Sequence, residues 1–139
     1  MTANAKQYTP LPEPGDILWC CFPQELGKPG PKPRPALVIK VAEGDNAIMV
    51  VYGTSQKTDR IFSTEFVLRV SDPAFSGSGL AYDTKFDMST QVQLPYNSDW
   101  FVLAPMKSGE APISPKMGVL HPTYIPALKQ ADAKVIRAA

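Results

Sequence analysis

The chain has 139 residues, of which 44% are hydrophobic, and its 14 basic and 13 acidic residues give a formal net charge of +1. This length suits one domain with a single core and is too short for two. A charge so close to zero is unlike that of proteins that coat nucleic acid non-specifically. Any binding of RNA or DNA must therefore use a local basic patch.

The start of the sequence predicts a flexible, proline-rich lead over residues 1–14. This segment lacks the apolar stretch of a signal peptide. No apolar run elsewhere approaches the roughly 20 residues that a helix needs to cross a bilayer. Two cysteines are too few for a disulfide framework, so the expected location is a reducing cytoplasm.

Five or six short β-strands and one C-terminal helix are predicted after this lead. The predicted strands are residues 16–22, 36–42, 47–52, 61–70, 89–95 and 99–104. The second and third strands flank the turn "EGDN" (Glu43–Asn46) and predict a hairpin. Apolar residues recur at helical spacing between Ile125 and Val135. The sequence therefore predicts a mainly β fold, a strongly bent sheet or barrel with a helix packed on it.

The segment "KPGPKPRP" (Lys28–Pro35) precedes the second strand and alternates four prolines with other residues. Ligands of SH3 and WW domains repeat proline every three residues, whereas a spacing of two puts the prolines on one side of an extended chain. The cations Lys28, Lys32 and Arg34 would then share the other side with Gly30 and form a stiffened strip of positive charge. Because proline lacks a backbone N–H, we expect a stiff loop that holds Arg34 ready for an anion. The alternative is a rigid surface loop with ordinary solubilising charges.

Several kinds of catalytic site are excluded by the residue types present. His121 is the single histidine, so one chain cannot use two imidazoles as base and acid. The adjacent Cys20 and Cys21 would point to opposite faces of a strand and cannot jointly hold a metal. Phosphate-binding GxxxxGK[ST] and nucleophile-elbow GxSxG motifs do not occur. His121 is interpreted as a structural or surface residue.

Two polar clusters are candidates for chemistry on a phosphodiester. The segment "GTSQKTDR" (Gly53–Arg60) offers hydroxyls, an amide and cations, and "DTKFD" (Asp83–Asp87) places Lys85 two residues from Asp87. Near Arg34, such a carboxylate could take the proton of a ribose 2′-OH while the cations stabilise charge on the phosphate, without a metal. The alternatives are a polar surface loop and a surface ion pair.

Five segments, in order, resemble the MazF/PemK family of toxins from bacterial toxin–antitoxin systems. They are "GDILWCCFP" (Gly15–Pro23), "RPALVI" (Arg34–Ile39), "VVYGTSQ" (Val50–Gln56), "KFDM" (Lys85–Met88) and "MGVLHPTYIPALKQADAKVI" (Met117–Ile136). The similarity covers roughly residues 14–136, and the arginine segment is its most specific part. The resemblance implies an SH3-like barrel of curved antiparallel strands with a C-terminal helix over residues 15–139, working as a homodimer and needing no metal or other cofactor.

The resemblance also implies an activity and its residues. The chain would be the toxin of a type II system, an endoribonuclease that cuts single-stranded mRNA to 2′,3′-cyclic phosphate and 5′-hydroxyl ends and is inhibited by an antitoxin protein. Arg34 would be the cation at the scissile phosphate and Thr54 the hydroxyl that contacts it. Asp87 would be the general base, paired with Lys85. The residues expected to bind RNA are Lys28, Lys32, Ser55, Gln56 and Lys57.

Other readings stay open because the family usually has arginine where this chain has Lys85, and the two cations differ at a bidentate phosphate site. The chain could instead be a barrel that binds RNA or protein without cutting. A toxin of this fold that acts on DNA-topology enzymes would place function elsewhere on the surface. Tyr52, Phe86 and Trp100 are candidates for stacking on unpaired bases, with core packing as the alternative.

Overall fold

The computed structural model describes residues 5–25, 27–105, 109 and 113–136. Within these residues the elements are β1 (Asp16–Cys20), β2 (Arg34–Ala42), β3 (Ala47–Thr54), β4 (Glu65–Leu68), β5 (Thr84–Pro95), β6 (Lys116–Val119) and the helix α1 (Ile125–Ala133). The strands form one antiparallel sheet in the order β4-β5-β3-β2-β1-β6. The prediction of a mainly β fold of curved antiparallel strands with a C-terminal helix is confirmed. No helix in the described ranges is long and apolar enough to cross a membrane.

The hairpin between β2 and β3 forms where the sequence predicts it. Ala42 pairs with Ala47 across a short 3₁₀ turn. Asn46 closes the turn with a φ of 48°, a left-handed conformation that asparagine tolerates better than most residues. This hairpin fixes the register of the two central strands and hence which residues meet at their far ends.

The last predicted strands differ from the observed ones. Residues 99–104 form no strand, and Phe101 makes only an isolated bridge to Cys20. Strand β5 begins at Thr84, five residues before the predicted segment 89–95, so the polar cluster around Asp87 is part of the sheet. Strand β6 was not predicted, because its four residues (Lys116–Val119) contain a glycine and no alternation of apolar side chains.

A bulge of several residues bends β5. Tyr52 pairs with Asp87 and Val50 with Val92, so residues 88–91 all lie opposite Val51. Bulges increase local twist and bend the strand that carries them. The bend lets the sheet curl and bury apolar side chains on both faces, one around Phe86 and α1 and the other around Phe101.

Part of the N-terminal segment packs on the sheet. Tyr8 is buried; its hydroxyl donates a hydrogen bond to the carbonyl of Phe101 and its backbone N–H donates to the carbonyl of Tyr96, both at 3.1 Å. The chain around Tyr8 therefore belongs to the packed domain and is not the flexible lead that its prolines suggested. Residues 1–4 of that predicted lead lie outside the described residues.

Candidate functional site

The start of β2 and the end of β3 meet on one face of the sheet. Ala36 pairs with Tyr52, so two further residues of the same antiparallel register bring Arg34 beside Thr54. Both line one cavity of about 400 Å³, which we call the Arg34–Thr54 cleft. Two of the predicted catalytic residues are thus close together although they are 20 positions apart in the sequence.

Arg34 stands at the boundary between this cleft and a second one. Its guanidinium carbon lies 6.0 Å from the centre of the Tyr52 ring, which packs tilted against Phe22. The second cavity, about 200 Å³, is lined by Lys32, Arg34, Tyr52 and Thr90 and is called here the Lys32 cleft. Among the described residues no carboxylate comes within 4.0 Å of the Arg34 guanidinium, so its charge is available to an anion from either side.

The hydroxyl of Thr54 is oriented by the turn that follows β3. Its Oγ1 accepts a hydrogen bond from the backbone N–H of Gln56 at 3.1 Å. Because that lone pair is used, the hydroxyl hydrogen is free to be donated to a phosphate oxygen. Ser55 also lines the Arg34–Thr54 cleft. Gln56 and Lys57 are exposed on the turn and do not line it.

Asp87 lies on the same face, one strand further along. It pairs with Tyr52, and since neighbouring strands are about 4.8 Å apart, its backbone lies about 10 Å from that of Ala36. Its Oδ1 accepts three hydrogen bonds, from the Thr64 hydroxyl (2.9 Å) and from the Ser89 N–H and hydroxyl (2.9 and 2.7 Å). Asp87 does not line the Arg34–Thr54 cleft. Tyr52, on the strand between β2 and β5, separates the carboxylate from the arginine.

Lys85 has partners other than those predicted. Its Nζ donates to Glu65 Oε1 at 3.1 Å and to the Arg60 carbonyl at 2.9 Å, and it lies 5.5 Å from the centre of the Phe62 ring. Glu65 is the diagonal neighbour on β4, which draws the ammonium away from Asp87. With its side chain only 7% exposed, Lys85 is neither in the cleft nor paired with Asp87.

The proline-rich loop is folded back instead of extended. The backbone N–H of Gly30 donates to the carbonyl of Cys21 at 3.0 Å, and the chain bends at residues 31 and 32. A single strip of cations therefore does not form. Lys28 is exposed and lies 3.7 Å from Glu25, whereas Lys32 lines the cleft named after it.

The aromatic residues at the clefts are mostly not those predicted from the sequence. Phe86 and Trp100 are buried in the core, and Tyr52 is half-buried beneath Arg34. The Arg34–Thr54 cleft is lined instead by Trp19 and Tyr82. Tyr82 lies in the loop between β4 and β5, which carries no recognisable motif, so only the folded chain reveals its place.

The remaining titratable candidates have structural surroundings. His121 Nδ1 accepts the N–H of Thr123 and caps the 3₁₀ turn before α1. Burial raises the pKa of the Cys20 thiol above its usual range, and burial also raises the pKa of Cys21. No group of three or more His, Cys, Asp or Glu within the described ranges is arranged to hold a metal ion.

Comparison with known proteins gives a consistent family and fold. A family model described as "PemK-like, MazF-like toxin of type II toxin-antitoxin system" matches residues 13–94. An endoribonuclease from a mycobacterial species has a similar structure, with a TM-score of 0.52 and 15% sequence identity over 91% of this chain and 92% of that one. No curated protein sequence matches the chain. At this identity the structural likeness supports the fold, and the family match covers more than half of the chain.

Proposed function

The chain belongs to the PemK-like, MazF-like toxins of type II toxin–antitoxin systems, and from this premise we propose that it is an endoribonuclease that cuts single-stranded mRNA without a metal. The observation that supports the proposal is Arg34, a half-buried cation that has no ion-pair partner among the described residues and stands beside Thr54 in a cleft. A cation and a hydroxyl donor on a rigid sheet suit a phosphate whose charge rises in the transition state.

In the proposed reaction the ribose 2′-oxygen attacks phosphorus and the bond from phosphorus to the 5′-oxygen breaks. Asp87 takes the proton of the 2′-OH, and the leaving 5′-oxygen takes a proton from water. The products are a 2′,3′-cyclic phosphate and a 5′-hydroxyl. Arg34 and Thr54 bind the non-bridging oxygens, which carry the growing charge.

Asp87 is suited to the role of base by the way it is held. Thr64 and Ser89 fix its Oδ1 with three hydrogen bonds, while Oδ2 accepts none from any described residue. One carboxylate oxygen is therefore positioned and the other is free to accept a proton. The ribose would have to lie over Tyr52, between the carboxylate and Arg34.

The other predicted residues take supporting roles in this proposal. Lys28, Lys32 and Lys57 would attract the RNA backbone, and Ser55 and Gln56 would hydrogen-bond the strand at the turn after β3. Lys85 would hold β4 against β5 through Glu65. We expect a homodimer in the cytoplasm and an acidic antitoxin segment that covers the clefts, in keeping with a type II system.

A second candidate function is a barrel that binds RNA without cutting it. Two observations favour it: Lys85 is engaged with Glu65, and Tyr52 lies between Asp87 and Arg34. Such a protein would still use Arg34 for binding, so cleavage and binding must be measured separately.

The test is incubation of the purified protein with a long unstructured RNA in excess EDTA, followed by chemical mapping of the fragment ends. Arg34→Ala should cut at least about 100-fold more slowly, the usual cost of losing one donor at a developing charge. Lys129→Ala, which removes an exposed cation on α1, is the matched control and should cut normally. Unchanged cleavage by a folded Arg34→Ala variant would refute the proposal, and intact RNA that still binds would establish the second candidate.

A further inference from the structure

We infer that the Arg34–Thr54 cleft receives one unpaired base of the RNA, next to the phosphate at Arg34, and that Tyr82 is the surface on which this base stacks. The inference rests on the proposed function, because it assumes that the ligand of this face is RNA. It adds Tyr82 as a specificity-determining residue, in the loop between β4 and β5, where the proposed mechanism places no catalytic residue.

The cleft has the division of chemistry that a nucleotide requires. Its polar groups, Arg34, Thr54 and Ser55, lie together where β2 begins and β3 ends, while Trp19 and Tyr82 contribute aromatic surface from other parts of the chain. A volume of about 400 Å³ falls in the range of small-ligand sites. An anionic group would bind at the polar edge and a flat ring against the aromatic walls.

Tyr82 is exposed but its backbone is held in place. The residue is 71% exposed, yet its carbonyl accepts a hydrogen bond from the Thr84 hydroxyl at 2.8 Å. The next residue, Asp83, accepts the Val70 N–H at 2.7 Å, and Leu80 on the other side is buried in the core. An aromatic ring on a fixed backbone loses little entropy when a base stacks on it.

The loop is also locked against β6. Gly79 has a φ of 74°, and a Cβ at this position would collide with the carbonyl oxygen of Met117. A Cβ on Gly118 would similarly meet the backbone of Ser78. Two glycines thus allow the backbones to approach closely, which holds the loop that carries Tyr82 against β6.

RNA is a better occupant of this cleft than an apolar protein side chain. Arg34 borders the cleft with no counter-ion among the described residues, and Lys32 lines the adjoining cavity. Burying an unpaired guanidinium under an apolar side chain would cost desolvation energy, whereas a nucleotide brings its own phosphate. A base in the cleft would also continue directly from the proposed phosphate site.

The experiment measures the binding of a short RNA by fluorescence anisotropy. The RNA spans a mapped cut site and carries a 2′-O-methyl group at the cut ribose, so that it cannot be cleaved. Each position is replaced in turn by an abasic nucleotide, and the four homopolymers serve as probes if no cut is found. We expect Tyr82→Ala to weaken binding about 5- to 100-fold, the effect of losing one base-stacking contact.

The decisive result is a coupling between one nucleotide and Tyr82. In the wild type, an abasic nucleotide at one position adjoining the cut should lower RNA affinity much more than at the other positions. In Tyr82→Ala, the same abasic nucleotide should hardly change RNA affinity. Tyr82→Phe, which keeps the ring, should behave like the wild type. Phe62→Ala removes a 59% exposed ring outside the cleft and should not change the abasic pattern.

Three outcomes would overturn the inference. In the first, Tyr82→Ala lowers RNA affinity by the same factor whichever position is abasic. In the second, Tyr82→Ala does not lower RNA affinity at all. In the third, Tyr82→Ala changes the oligomeric state and keeps the base preference of the wild type. Because cleavage of unmodified RNA is measured separately, normal cutting with no Tyr82 coupling refutes this inference and leaves the proposed function intact.

Discussion

Replacing Lys85 by methionine separates a structural role from a catalytic one. The ammonium of Lys85 is 3.1 Å from Glu65 Oε1, and the two side chains are only 7% and 9% exposed. Methionine fills similar space without the charge. Glu65 would then keep a buried negative charge, and among the described residues only the Phe62 N–H, at 2.9 Å, would remain to stabilise it.

The magnitude follows from this burial. Breaking a buried ion pair by removing one partner costs about 3–5 kcal/mol, because the other charge is left uncompensated. For a domain of this size that corresponds to a fall of about 10–20 °C in the melting temperature. The double variant Lys85→Met/Glu65→Gln removes both charges and keeps an acceptor for the Phe62 N–H. We expect it to recover most of the lost stability.

The assay combines urea unfolding with RNA cleavage at a temperature where each variant is folded. If Lys85 is structural, the single variant loses stability while its cleavage rate per folded molecule stays within a few-fold of the wild type. A stability loss below about 1 kcal/mol together with a 100-fold slower cut would refute this reasoning. It would mean that Lys85 leaves Glu65 and reaches the phosphate during the reaction.

Two further predictions concern the loop between β4 and β5, which contains both Asp72 and Gly79. Gly79→Ala should cost at least about 2 kcal/mol in urea unfolding, because it adds left-handed strain and a backbone clash with Met117, while Gly77→Ala, in open space, should be nearly neutral; equal effects would contradict the close approach. The pKa of the Asp72 carboxyl is lowered mainly by a hydrogen bond from the Arg69 N–H and then by one from the Tyr124 hydroxyl. The carboxylate therefore stabilises the folded state fully above its unfolded pKa, and this stabilisation is lost as the pH falls through its folded pKa. In Asp72→Asn the melting temperature should therefore fall less between about pH 5 and pH 2 than in the wild type. An unchanged fall would show that this carboxyl does not contribute to the acid dependence of stability.

The sequence predicted the central strands well because their signals are local. The apolar runs of β2 and β3 and the turn between them have β propensity and turn chemistry that need no distant partner. The same register, once formed, brings Arg34 beside Thr54. That pair was therefore within reach of the sequence, with the family resemblance supplying the expectation that they act together.

The misses share a different cause, which is dependence on tertiary contacts. Spacing puts Lys85 and Asp87 on one face, but which partner an ammonium takes depends on the strand beside it, and β4 supplies Glu65. Tyr8 lies in a segment without strand pattern, yet it is buried because its ring packs against Tyr96, while carbonyls of Phe101 and Tyr96 accept its hydroxyl and N–H. Propensity contains no information about such neighbours.

The two clefts beside Arg34 also bear on why the proposed substrate is single-stranded. The Arg34–Thr54 cleft and the Lys32 cleft share Arg34, which forms their border, and the ring of Tyr52 lines the Lys32 cleft. A strand that places neighbouring bases in the two clefts must unstack them across this border, which paired bases of a duplex resist. In the proposed reaction this unstacking would expose the intervening phosphate to Arg34 and would free the ribose to swing towards Asp87. In-line attack requires the 2′-oxygen and the leaving 5′-oxygen to lie on opposite sides of phosphorus, an arrangement that a regular helix does not adopt. Two clefts on either side of Arg34 would therefore bend the strand into the geometry that the proposed reaction needs.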